Sequence, residues 1–174
     1  GLIATAGFRD VLEMGREARY DIYDLGIRMP PPLAPRRRRM EVSERITFEG
    51  DVLTPLDEAE VEANVRRLVE DEDIQSLAIC LLHGYAHPEH ELKTAAIARR
   101  LFPNLSISVS SEVSAEIREY ERVSTTVVDA YVKPLVQTYV GRLNAGLKAL
   151  GTPLEASMML SHGGIETATD VAEN

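Results

Sequence analysis

Apolar and polar positions along this chain change period several times, and each change marks an element. Leu2-Ile3-Ala4 is an unbroken apolar run of the kind a buried strand shows, and Phe8, Val11, Leu12 and Met14 then step as a short helix ending at Gly15. Prolines 30 to 32 and Pro35 force an extended loop. Met40 to Ile46 alternates, Glu49-Gly50 supplies a turn and Asp51-Val52-Leu53 returns, which predicts a β-hairpin. Asp57 with Glu60 has the form of a capping box, and Val61, Val65, Leu68 and Val69 give the stripe of the helix behind it. The run Leu77 to Leu82 is apolar on both faces, as a central parallel strand requires. Pro88 opens a helix carrying Leu92, Ala95, Ile97 and Leu101, and Leu105 to Val109 reads as the next strand.

From about Ser114 to Leu150 the apolar positions step by three and four, which predicts one long helix bent at Pro134. Ala156 to Leu160 reads as a strand running into Ser161-His162-Gly163-Gly164, with a helix begun over Glu166 to Asn174. Strands alternating with helices indicate crossover units, so the expected class is α/β with a mixed or mostly parallel sheet, one hairpin and one long helix. The expected division is an α/β lobe over residues 1–110, then the long helix and the start of a following domain over 111–174. Both ends read as cut from a longer chain, because packed elements begin and stop there without caps.

Composition narrows the function. The 174 residues, 44% hydrophobic, suffice for one good core or two small ones. A net charge of -9 repels phosphate backbones, and the basic run Arg36 to Arg39 lacks the interleaved aromatics that stack bases, so no nucleic-acid partner is expected. The single Cys80 excludes an internal disulfide and fits a reducing cytoplasm. No apolar run approaches the roughly 20 residues of a membrane helix, so no membrane association is expected.

The densest chemistry lies in Ser111 to Thr126. Glu112, Glu116 and Glu119 can share a helix face, and Arg118 and Arg122 stand four apart, able to pair with Glu119 or Glu121. Such a block is a solvated face, a buried ion network or the wall of a polar site; on the last reading Glu112, Arg118, Glu119, Glu121 and Arg122 are the catalytic candidates. Arg9, in the turn Thr5 to Asp10, can hold a substrate carboxylate or merely Asp10. Ser161, Gly163 and Gly164 are candidates for holding a phosphate, since a glycine turn between strand and helix aims backbone N–H groups at an anion; a plain tight turn is the alternative. Cys80, His83, His87 and His90 suggest a metal, but Cys80 and His83 should point to opposite faces of a strand. No metal is expected there; His87 should cap the helix after it and Cys80 should be core.

Several strings resemble the hydantoinase A and 5-oxoprolinase family: Thr5-Ala6-Gly7-Phe8-Arg9-Asp10-Val11-Leu12-Glu13, Tyr23-Asp24-Leu25, Pro31-Pro32-Leu33 with Pro35-Arg36-Arg37, Ala78-Ile79-Cys80-Leu81-Leu82-His83, Pro88-Glu89-His90-Glu91, and above all Ser111-Glu112-Val113 through Ile117-Arg118-Glu119-Tyr120-Glu121-Arg122. The resemblance runs over nearly the whole chain. It implies an actin-like, ribonuclease H-like ATPase scaffold in which ATP, with Mg, activates a cyclic amide such as a hydantoin or 5-oxoproline by phosphorylating its oxygen before water opens the ring. It also implies a hydantoinase B-type partner subunit, and it allows an oligomer. A subunit segment of an ATP-dependent ketone carboxylase and a non-catalytic subunit-interaction module are the alternatives. The family's Asp-Gly-Gly-Thr and Gly-Pro-Ala-Gly-Gly loops are not in this sequence, so the segment alone is expected to be inactive and to carry no cofactor. The family's usual asparagine and proline are replaced by His162 and Ala115.

Overall fold

The computed structural model describes residues 1–16, 21–151, 156–160 and 163–173. In chain order the elements are β1 (Leu2–Thr5), α1 (Val11–Met14), β2 (Arg39–Val42), β3 (Arg45–Ile46), β4 (Val52–Thr54), α2 (Glu58–Arg66), β5 (Ser76–Cys80), α3 (Glu89–Leu101), β6 (Ser106–Val109), α4 (Ser110–Val113), α5 (Glu119–Ala149), β7 (Ser157–Met159), β8 (Ile165–Thr167) and α6 (Ala168–Glu173). Contacts divide the chain into two units, Gly1–Ala130 and Tyr131–Asn174.

The first unit is built on a four-stranded parallel sheet in the order β2-β1-β5-β6. Its central strands are apolar on both sides because both sides are covered. Ile3, Met40, Val42, Leu77 and Ile79 pack with Val61, Val65 and Leu68 of the α2 region and with Ala95 and Ala98 of α3. Leu2, Ala78 and Cys80 face the other way, onto Val123, Val127 and Ala130 of α5. The period of two thus assigns each strand residue to one layer or the other.

Local signals account for several boundaries. Asp57 caps α2 by accepting the Glu60 N–H at 3.0 Å, and Glu60 accepts the Ser43 N–H at 2.6 Å instead of closing back on Asp57. The expected hairpin is shorter than its alternation suggested. Arg39–Val42 joins the parallel sheet beside β1, since Met40 and Val42 are needed in the core, and only Arg45–Ile46 pairs with Val52–Thr54. The long helix begins at Glu119, not near Ser114, because Ser114 is extended (φ -157°, ψ 91°) and stops α4. Ile117 consequently lies outside the helix and 66% exposed, not in a core, and Arg118 is exposed with it. Helix α5 runs 31 residues and carries Pro134 in its interior.

In the second unit β7 and β8 pair antiparallel, and buried Val140 and Ala168 pack with Val136, Ala156 and Met158. Gly163-Gly164 is therefore the turn of a hairpin, not a strand-to-helix junction: Leu160 donates to the Gly164 carbonyl at 2.8 Å and Gly163 to the Leu160 carbonyl at 2.9 Å. Ser161 and His162 lie outside the described residues.

One carboxylate closes the end of the first unit's sheet. Glu91, fully buried, accepts the Leu81 N–H at 2.7 Å, the Ser110 hydroxyl at 2.5 Å and the Ser111 N–H at 2.9 Å. Gly84 leaves it room, for a Cβ there would collide with the Glu91 carboxylate. The Glu91 carboxylate cannot move aside without abandoning its three donors. Gly84→Ala should therefore cost about 2 kcal/mol or more in a urea unfolding titration of this chain, a size typical of overpacking beside a buried polar network.

Candidate functional site

In an open α/β sheet, ligands bind beyond the carboxyl ends of the strands where successive connections leave in opposite directions. Here that place lies between β1 and β5, since the chain passes from β1 to β2 on one side and reaches β5 on the other. A shallow open depression, too small to enclose more than about one water, occupies it. Its lining includes Ala4, Phe8, Val11, Leu82 and Val123, with Glu119 and Arg122 as the charged members.

Arg122 is the unusual residue. Its side chain is fully buried, its Nη2 donates to the Leu81 carbonyl at 2.8 Å, and its guanidinium lies 5.6 Å from the centroid of the Tyr85 ring. Nε and Nη1 have no acceptor, and among the described residues no carboxylate pairs with the group. A guanidinium has five N–H donors, so the one on Nε and the two on Nη1 are unspent. A buried cation without compensation costs roughly 3–5 kcal/mol, and the unspent nitrogens are enclosed by the packing around them.

Around it the backbone is pinned. The Leu82 N–H donates to Thr5 Oγ1 at 2.8 Å, and the Thr5 hydroxyl donates to the buried Glu44 carboxylate, whose other oxygen meets His90 Nδ1 at 2.8 Å. His83 follows in the left-handed region, φ 60°. Burial pushes the Cys80 thiol up to about 12, with nearby Arg122 opposing the shift.

Of the residues singled out in the sequence, Glu119 and Arg122 meet in this cleft. Glu121 pairs instead with Arg16, while Glu112 and Arg118 are exposed. Arg9 lies 3.7 Å from Glu41, and Asp10 is held by Arg36 through two bonds of 3.0 and 3.1 Å, which draw its carboxyl below the usual range. His87 does not cap α3; Pro88 stands at that position, and the His87 ring meets the Phe48 carbonyl at 3.2 Å. Thr5, Glu44, Tyr85 and Glu91 were not singled out as site residues. For Glu91 a signal existed, because 91, 94, 95 and 98 form one inward stripe of α3.

The phosphate role expected of Gly163 does not fit this geometry, since its N–H is spent on Leu160.

A parallel sheet apolar on both faces and covered by helices on both defines an α/β protein. The hydantoinase/oxoprolinase N-terminal region matches residues 1–102 and the hydantoinase/oxoprolinase family residues 122–174, so the chain belongs to the hydantoinase/oxoprolinase family. It is 42% identical to an uncharacterised protein of Methanocaldococcus jannaschii, covering 94% of this chain and 24% of that protein. It is 34% identical to the caprolactamase alpha subunit of Pseudomonas jessenii, covering 95% and 24%. The solved ATP-dependent caprolactamase from that organism superposes with a TM-score of 0.84 at 32% identity over 97% of this chain and 24% of its own. Nucleotide-free acetone carboxylase gives 0.83 at 27%, over 97% and 25%. The chain spans about a quarter of the length of these relatives.

The buried thiol gives a direct test. With its pKa moved from 9.0 to about 12, the native thiolate fraction at pH 8 falls about a thousandfold, so iodoacetamide should modify Cys80 that much more slowly in the folded chain than in urea. The folded state binds this proton more tightly than the unfolded state. Its contribution to stability is thus present below pH 9 and lost as pH rises from about 9 to about 12. Alkylation at equal rates in both states would show the thiol to be accessible.

Proposed function

We propose that the chain forms an α/β segment of a longer, ATP-dependent enzyme that hydrolyses cyclic amides, and that the segment has no turnover by itself. The observation that carries the reading is the match to the hydantoinase/oxoprolinase family models over residues 1–102 and 122–174. The likeness to a caprolactamase along nearly the whole chain supports it. ATP, with Mg, is proposed for the parent enzyme because both solved relatives are described as ATP-dependent. An actin-like scaffold, a hydantoinase B-type partner subunit and a cytoplasmic location complete the reading. No helix among the described residues is long and apolar enough to cross a membrane.

A second reading, a segment of an ATP-dependent ketone carboxylase, rests on the nearly equal superposition with acetone carboxylase. Purified parent enzyme should be given hydantoin, 5-oxoproline, caprolactam and, with bicarbonate, acetone, each with and without Mg-ATP. Ring opening that requires ATP is the expected result, with none from the isolated chain. Carboxylation of the ketone without ring opening would transfer the assignment to the second reading.

A further inference from the structure

Helix α5 carries more apolar surface than its own unit covers. Within the second unit Val136 and Val140 of this helix pack with Ala156, Met158 and Ala168. Tyr131, Leu135 and Tyr139 stand four apart and form a neighbouring row, with Val132 beside it, and these four side chains are 40–64% exposed. Gln137, on the side opposite Leu135, is exposed and polar. This part of α5 therefore has two apolar rows and one wet face, where a helix at the surface of a finished protein has a single apolar stripe.

The character of the open row selects its occupant. A small ligand needs a concavity, and a convex helix offers none. The row is uncharged, with two tyrosines about 12 Å apart along the helix axis on either side of a leucine. Permanent interfaces have that composition, whereas transient ones are more polar. The unit is also short of core, for Val140 and Ala168 are its buried apolar residues among those described. A module of this size rarely stands on so little, so the contact that supports it has to be made all the time. About three-quarters of each relative lies outside the part this chain matches, which is ample polypeptide to make it. A contact within one polypeptide is permanent, and one with a dissociable subunit is not.

We propose that the row of Tyr131, Val132, Leu135 and Tyr139 is an intramolecular interface, covered in the parent by an apolar face of the polypeptide outside these 174 residues. This rests on the reading of the chain as a segment of a longer enzyme, and not on which reaction that enzyme performs. Helix α5 is then shared between two cores, one made with the hairpin and α6 and the other with the rest of the parent.

The test is thiol accessibility. Leu135→Cys and, on the opposite side of the helix, Gln137→Cys are made in the isolated chain and in the full-length parent, and maleimide labelling of each site is followed by peptide mass spectrometry. Cys80 does not compete, since it is buried and its thiol stays protonated. In the isolated chain both introduced thiols should react at comparable rates. In the parent the thiol at position 135 should react at least about tenfold more slowly, while that at 137 changes by less than about threefold. If a variant fails to fold, hydroxyl-radical oxidation of Tyr131 and Tyr139 in the unaltered chain and parent makes the same comparison. Equal labelling of position 135 in chain and parent would overturn the proposal. Protection that the isolated chain already shows and loses on dilution would overturn it in favour of a second copy, and protection gained only with a partner subunit bound would overturn it in favour of that subunit. ATP-dependent ring opening is measured separately. A parent that protects position 135 without opening rings keeps the interface and loses the activity, whereas one that opens rings with position 135 fully labelled loses only the interface.

Discussion

Where a parallel strand stops inside a protein, its last peptide groups lose their ladder partners, and each buried group left without one costs on the order of 1–3 kcal/mol. The peptide groups following β5 meet that constraint with side chains from three separate elements. Glu91 of α3 accepts the Leu81 N–H, Arg122 of α5 donates to the Leu81 carbonyl, and Thr5 of β1 accepts the Leu82 N–H. The same Glu91 also holds Ser110 and Ser111, where β6 passes into α4. The ends of three strands are thereby fixed around one short stretch of backbone. The floor of the cleft is main chain held by charged groups, which gives it a rigidity that loop side chains would not supply.

Arg122 has two tasks that pull in different directions. Its bond to Leu81 orders the turn, while the remaining donors leave a buried charge only partly compensated. The Tyr85 ring offsets part of that cost through its π face. An interior cation kept under this imbalance is the kind of local violation that recurs at functional sites, where stability is exchanged for readiness to bind. The neighbouring basic run shows the opposite case. Arg36, Arg37, Arg38 and Arg39 are matched by Asp10, Glu13 and Glu72 of the same unit, so that four consecutive cations act as internal fastenings.

The sequence was informative wherever burial and periodicity coincide. The two-sided runs Leu2 to Ala4 and Leu77 to Leu82 announced a parallel sheet, and Asp57 announced the start of α2. It was ambiguous where one pattern serves two structures: Met40-Glu41-Val42 alternates equally well as a hairpin arm and as the edge strand of a sheet with one face on the core. Ile117 looked like a helix residue by spacing, but the extended Ser114 breaks the register that spacing assumes. The charged block around Glu119 and Arg122 was visible as a block, yet which members turn inward depends on where α5 begins, and composition does not encode that phase. Glu44 and Glu91 were the hardest to read. A carboxylate near a helix start is usually a solvated dipole partner, and only tertiary packing makes these two interior acceptors.

The position of β1 in the sheet bears on how the chain is made. It precedes both of its neighbours in sequence yet lies between them, with β2 on one edge and β5 on the other, in registers that join Leu2 to Arg39 and to Ala78. During synthesis β1 leaves the ribosome long before β5, so one of its edges stays open while more than seventy further residues emerge. Loop-closure entropy opposes both pairings, and the later one more. For that interval an apolar segment with unpaired backbone is accessible to other strands, so a chaperone's cover matters most between the emergence of β1 and that of β5.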